Sequence, residues 1–316
     1  MSSKSEFARA PLSRRIQIWL EEVRAPFFTA VLVPVLLASV MAWQDGHPVQ
    51  IGYFLLTLMA AIFMHAGTNV INDYADHING CDARNTEFVR PFTGGSRLIQ
   101  KGTLSPGEVL RGALIFFALS TILGLLLVVL RGLPILYLGL IGTFCGIFYT
   151  LPPFNIVNKG IGELVVGLCF GTLMMLGAYY VQAQTFSAAV VVASIPVTLL
   201  IAGVLYINEF PDYAADRDSG KRHLVVRLGR PRAFYGYLTI MALTYLSIVI
   251  GVVAGILTPF VLIALLTMPQ AIKAVKVARD HHSDTPKLVP ANAATVGIHL
   301  TTGLLLTAGY AAAAIL

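Results

Sequence analysis

Nine apolar stretches, each close to the ~20 residues a helix needs to cross a bilayer, limit what this chain can fold into. They run over 26–44, 51–71, 107–130, 133–150, 161–183, 188–208, 233–254, 257–277 and 292–315. Composition agrees: 56% of residues are hydrophobic and only 12% are charged, against roughly 25% charged in a soluble domain. The expected fold is all-α, a polytopic membrane protein with nine transmembrane helices.

Long loops are expected at 72–106, 209–232 and 278–291 and a medium one at 151–160, all on one face; the loops of the other face are very short. With the N-terminus cytoplasmic, all but one of the 22 lysines and arginines fall on the cytoplasmic face, Lys4 among them; the exception is Arg131. That is the positive-inside pattern. Of the acids, only Asp45 lies outside. The net charge of +6 and the pI of about 9.3 therefore report topology, and nucleic acid is not an expected partner. The expected location is the cell (inner) membrane, with the C-terminus outside. Residues 1–25 contain no apolar run of the kind a cleavable signal needs. Instead "SRRIQIWLEEVR" spaces Ile16, Trp19, Leu20 and Val23 as an amphipathic helix that suits the membrane surface. Cys81, Cys145 and Cys169 are too scattered for a disulfide framework or a cysteine metal site.

The acids are not scattered. The second span ends in "NVINDYADHINGCDARN", where Asn69, Asn72, Asp73 and Asp76 fall within an arc of about 100° on a helix, and Asp82 follows Gly80. The sixth span ends with Asn208, Asp212 and Asp216 on one stripe that rises about 12 Å. The two clusters are four spans apart, at equivalent helix ends, which suggests a repeated four-helix unit. Like charges at this spacing repel and raise one another's pKa unless a cation neutralises them. Mg²⁺ takes oxygen ligands and is usually held by one or two carboxylates plus substrate phosphates. Two facing rows of carboxylates and amides therefore suit Mg²⁺ ions gripping a diphosphate. The bland alternative is solvated loop acids paired with nearby lysines and arginines; two matched clusters weigh against it.

A diphosphate also needs protein cations, and Arg90, Arg97, Lys159, Lys221 and Arg222 are on the correct face. Glycines 94 and 95 allow backbone N–H groups to approach an anion. Tyr149, Tyr206 and Tyr213, near the cytoplasmic helix ends, are candidates for stabilising a cation by their ring faces, with interfacial anchoring as the alternative for each. His65 and His299 lie within spans and read as packed core residues. No zinc spacing, nucleophile triad, Walker motif or GxGxxG is present. Two other classes use clustered acids in membranes. A CDP-alcohol phosphotransferase carries one cluster rather than two distant ones. A secondary transporter carries its charges near the midplane.

"NDYADHINGCD" and "NEFPDYAADRDSGKRHLVVRLG" closely resemble the two Asp-rich motifs of the UbiA-type intramembrane prenyltransferases. "YTLPPFNIVNKGIGELVVGLCFGTLMMLGAYYVQ" resembles the segment between them. The resemblance implies a single domain over 1–316 with nine helices around a central cavity. It implies Mg²⁺-dependent transfer of a prenyl group from a polyprenyl diphosphate to an acceptor, usually aromatic. By position, Asn72, Asp76 and Asp82 would form one metal–diphosphate site, and Asn208, Asp212 and Asp216 the other. Asp73 would assist, and Lys159 with an arginine from 90–97 would hold the diphosphate. The third acid, Asp82, follows Asp76 by six residues; 4-hydroxybenzoate-type members more usually have it four after, where this chain has Gly80. The spacing looks more like the naphthoate, or menaquinone, branch. Homogentisate, 4-hydroxybenzoate, a lipid or tetrapyrrole alcohol and specialised aromatic acceptors remain open.

Overall fold

The structure is a computed structural model that describes residues 5–316; Lys4 lies outside the described residues. A short helix, α1 (Leu12–Glu22), precedes the membrane. The long helices follow as α2 (Ala25–Gln44), α3 (Ile51–Ile78), α4 (Pro106–Arg131), α5 (Leu133–Phe148), α6 (Gly162–Ala183), α7 (Ala188–Ser219), α8 (Arg230–Val253), α9 (Pro259–His281) and α10 (Thr285–Ile315). Eight are long and apolar enough to cross a bilayer; α5, at 16 residues, is a shorter apolar helix. Among the described residues there is no strand.

Two helices outrun their apolar segments. The apolar runs of α3 and α7 end near 71 and 208, but the helices continue to Ile78 and Ser219. α3 runs on to Asn79–Gly80, and α7, past Pro211, to Gly220, the two glycines adopting left-handed φ of 75° and 89°, a conformation glycine takes without a steric penalty. The acids expected at loop starts are therefore on rigid helix, and the long loops begin later than their sequences suggest. α10 likewise starts at Thr285 rather than near 292.

The most extensive pairings are α9 with α10, α3 with α4 and α6 with α7. Within its apolar window α7 is 56% buried and α4 only 17%, so α7 runs through the centre of the bundle and α4 along its lipid-facing rim. The amphipathic stripe of α1 divides. Trp19 packs edge-on against Phe7 and Phe116 and Val23 is buried, whereas Leu12, Ile16 and Leu20 are exposed.

α6 reaches α7 through glycine. A π-helical turn at Cys169–Leu173 brings Gly171 so close to α7 that a Cβ there would lie 2.6 Å from Thr198 Cα and 2.7 Å from its N. Backbone cannot yield as a side chain can. Gly171→Val is expected to destabilise the fold by about 1–3 kcal/mol, read as a lower Tm in detergent; an unchanged Tm would show that α6 and α7 are not packed this way.

Candidate active site

A cavity of about 600 Å³ opens between the helices. Its walls are apolar over most of their depth, with Val128, Ile135, Leu138, Phe170 and Leu173 among them. Its inner end is polar. Asn72 and Asp76 enter from α3 and Asp82 from the one-turn helix Cys81–Arg84; Asn208, Asp212 and Asp216 enter from α7. The two rows meet. Lys221 Nζ lies 2.9 Å from Asp76 Oδ2 and 3.3 Å from Asp216 Oδ1. The Cys81 thiol donates to Asp216 Oδ1 at 2.9 Å, Asn85 Nδ2 donates to Asp212 Oδ1 at 2.6 Å, and the Gly94 N–H approaches Asp212 Oδ2 at 3.3 Å.

Local sequence explains the convergence. Gly220 reverses the chain at the end of α7, and the Lys221 N–H bonds back to the Asp216 carbonyl at 2.8 Å. That turn folds the lysine over its own helix towards α3. One turn earlier in α7, Pro211 has no N–H, so the Ile207 carbonyl loses its helical partner. Asn292 Nδ2 of α10 fills the gap at 3.0 Å and also donates to Asn208 Oδ1 at 2.8 Å. A proline in one helix thus fixes an amide of the site through another.

The charges do not balance within the cavity. Asp76, Asp82, Asp212 and Asp216 line it, while Arg24 and Lys221 are the only arginine and lysine that do so among the described residues. Arg24 is already committed to Asp73. Burial alone would lower the Lys221 pKa, but Asp76 and Asp216 outweigh it and hold the ammonium well above the usual lysine value. Burial, then repulsion from Asp76 and Asp73, pushes the Asp82 carboxyl up to about 7. Surplus carboxylates with two amides, all hard oxygen donors, fit divalent cations of the Mg²⁺ type.

Behind Asp216 stands a buried relay. His223 Nε2 is 3.1 Å from Asp216 Oδ2 and His223 Nδ1 is 3.2 Å from Glu209 Oε2. Glu163 closes the group: the ligand atoms of Glu163, Glu209 and His223 all lie within 4.8 Å of one another. Glu163 Oε1 is fixed by the Leu224 N–H at 2.7 Å. Burial works against charge on His223, but Glu209 and Asp216 push its pKa up to about 10. Its hydrogen bond through Nε2 orients Asp216, as outer partners orient a ligating carboxylate.

Seven expected residues do not reach the cavity. Asp73 turns into the protein, paired with Arg24 and accepting the Ser96 N–H at 2.7 Å. Arg90 binds the Ser96 carbonyl and Glu21, tying the loop to α1. Arg97 donates to the carbonyls of Asp82 at 2.8 Å and Asn85 at 3.2 Å and covers Phe88, so it braces the loop that presents those residues. Lys159 and Arg222 are exposed outside the cavity lining. Tyr206 is core, its hydroxyl donating to the Ala233 carbonyl at 3.0 Å. Tyr213 lies under Arg217 and Arg230. Tyr149 alone of the three tyrosines faces the cavity. Sequence reading passed over Arg24, Asn85, Asn292 and the Glu163–Glu209–His223 relay. Only Glu209, inside the second motif, carried a signal: an acid on a largely apolar helix.

Opposed carboxylate rows above a greasy chamber, within a helical bundle, define an intramembrane enzyme that handles a phosphorylated lipid. Comparison with known proteins agrees. The sequence pattern of the UbiA prenyltransferase family matches residues 31–314, and the chain belongs to that family. It is 29% identical over 303 residues to the 2-carboxy-1,4-naphthoquinone phytyltransferase of Synechocystis, covering 95% of this chain and 94% of that one. It is 31% identical over 227 residues to the 1,4-dihydroxy-2-naphthoate octaprenyltransferase of Escherichia coli, covering 69% of this chain and 71% of that one. The fold is similar to that of a UbiA homologue from Archaeoglobus fulgidus solved with GPP and Mg²⁺, with a TM-score of 0.59 at 16% identity, covering 92% of this chain and 99% of that one. The protein is thus a multi-pass membrane prenyltransferase.

The floor beside Asp73 carries a pH signature. Burial, then the charge of Asp73, pushes Glu22 up to about 8 from its ordinary 4.5, and its carboxylate accepts from Ser96 Oγ at 2.5 Å. The folded chain keeps a proton that the unfolded chain releases, so stability falls as pH rises from about 4.5 to 8. Glu22→Gln, which still offers Ser96 an acceptor, is expected to flatten that stretch of the Tm–pH curve. An unchanged slope would contradict the assignment.

Proposed function

We propose that the protein transfers a prenyl group from a polyprenyl diphosphate to 1,4-dihydroxy-2-naphthoate, with Mg²⁺, as a step of menaquinone-type quinone synthesis. The observation that carries the reading is the meeting of the Asn72–Asp76–Asp82 and Asn208–Asp212–Asp216 rows at Lys221. The acceptor is supported by the relatives, named for naphthoate substrates, and by the six-residue step from Asp76 to Asp82. The metal is supported by the surplus of oxygen donors and by the Archaeoglobus homologue, solved with GPP and Mg²⁺. We read residues 1–316 as one transmembrane domain, with the N-terminus and the polar end of the cavity cytoplasmic and the C-terminus outside.

Bound between the rows, Mg²⁺ would supply Lewis-acid neutralisation of the diphosphate oxygens. The chain supplies the rest. Lys221 adds a fixed ammonium where negative charge grows on the leaving diphosphate, the kind of preorganised stabilisation that lowers such a barrier most. His223, held by Glu209, keeps Asp216 aimed at the cavity. As the allylic C–O bond breaks, the Tyr149 ring offers its face to the carbon that becomes positive, worth about 0.5–2 kcal/mol. The apolar walls keep water from that cation until the electron-rich acceptor ring forms the new C–C bond. The ring then regains aromaticity by losing CO₂.

Asp76→Asn and Asp212→Asn are each expected to cut Mg²⁺-dependent diphosphate release by about 10²-fold or more, with the protein still inserted and folded. Lys221→Met is expected to raise the KM for the prenyl diphosphate about tenfold. Full activity in either aspartate variant would defeat the reading, as would a protein that releases no diphosphate from geranylgeranyl diphosphate when naphthoate and Mg²⁺ are present.

A further inference from the structure

Below the carboxylate rows, two imidazoles lack partners. His65 Nδ1 and both ring nitrogens of His299 are buried without a hydrogen bond among the described residues. The residues are only 8% and 2% exposed, and both line the cavity. Core packing, the reading their place in the spans suggests, leaves those nitrogens unexplained.

The two histidines continue the stripes that carry the rows. At 100° per residue, His65 lies within about 20° of the direction of Asn72 and of Asp76 on α3, about 16 Å deeper than Asp76. On α10, His299 lies within about 20° of Asn292, about 10 Å deeper, and Asn292 is the residue that holds Asn208. Both stripes descend to the start of α2. The His65 ring packs against Phe28 at 5.4 Å and Phe170 at 4.7 Å between ring centroids. The His299 ring lies beside the backbone of Thr29, with neither nitrogen in good hydrogen-bond geometry.

A buried polar atom left unpaired costs about 1–3 kcal/mol. A prenyl tail is hydrocarbon and cannot satisfy it. A hydroxylated aromatic ring can: each neutral imidazole has one donor and one acceptor nitrogen, and a ring hydroxyl both donates and accepts. We propose that His65 and His299 form the pocket for the hydroxylated edge of the aromatic acceptor. His65 sits between two aromatic rings, and His299 lines the same cavity from α10. The inference rests on the prenyl-transfer reading and deepens it, since these residues would select a hydroxylated ring and hold it beneath the diphosphate.

The test measures equilibrium binding of 1,4-dihydroxy-2-naphthoate to the purified full chain, by quenching of protein fluorescence, alongside KM values for both substrates. His65→Phe and His299→Phe keep a ring in place and remove its nitrogens. Each is expected to weaken naphthoate binding about tenfold or more, with the KM for the prenyl diphosphate within about twofold of the unsubstituted protein. That second value also shows that the variant is folded. His65→Gln and His299→Gln, which restore a donor and an acceptor, are expected to recover most of the binding. 2-Naphthoate, the same acid without hydroxyls, is expected to bind the unsubstituted protein no better than the Phe variants bind the dihydroxy compound. Unchanged naphthoate binding in the Phe variants overturns the pocket, as does a rise confined to the prenyl diphosphate KM, which would put the tail against these rings. Loss of naphthoate binding in the variants of a protein that releases no diphosphate would sink the prenyl-transfer reading and leave the pocket standing. Absence of naphthoate binding to the unsubstituted protein overturns the pocket.

Discussion

A single ammonium group joins the two halves of this bundle. Lys221 Nζ touches Asp76 of α3 and Asp216 of α7, helices otherwise occupied with different partners. In a poorly hydrated site such a charge is worth far more than on a surface, and stripping one partner from a buried pair costs about 3–5 kcal/mol. The surrounding features follow from the need to deliver it. Gly220 turns the chain back, the Asp216 carbonyl caps the turn, and the His223 relay keeps Asp216 in register. Even so, the rows carry more negative charge than the chain neutralises. That surplus is what makes the place a site rather than a structural ion pair.

The bilayer explains the division of labour along the cavity. Charge is tolerated at the membrane edge and is costly at the centre, so the carboxylates occupy helix extensions past the apolar segments. The chamber beneath is lined with hydrocarbon because its occupant is hydrocarbon. α7 serves both zones: its apolar length is the most buried of the long helices, and its polar end carries Asn208, Asp212 and Asp216. The close approach at Gly171 and the Asn292 bond to the carbonyl that Pro211 frees fix that helix against α6 and α10.

Much of this was legible in the residues. Span length and the placement of Arg and Lys gave the helical membrane fold, amide–acid spacing gave two matched clusters, and the resemblance to the UbiA-type motifs picked from them the six cavity-facing ligand candidates. The cations were harder. Arg90, Arg97, Lys159 and Arg222 share a face with the site, but a face is not a contact, and loop packing sends the two loop arginines to carbonyls and Glu21 instead. Asn292 was unreadable because its role depends on a carbonyl freed by a proline in another helix. His65 and His299 sit on the correct stripes, yet a histidine inside a span gives no sign of whether its nitrogens meet a partner or a cavity. That distinction exists only once the helices are packed.

The central claim is that cations bridge the ends of α3 and α7. The most direct measurement is an experimental structure of the full chain with Mn²⁺ and a thiol-linked, non-reacting prenyl diphosphate analogue, with manganese located by its anomalous scattering. The account predicts manganese between the two rows, with carboxylate oxygens of Asp76 and Asp212 or Asp216 in its coordination sphere and the analogue's diphosphate beside Lys221. Manganese bound by one row alone, or a diphosphate held away from both, would contradict it.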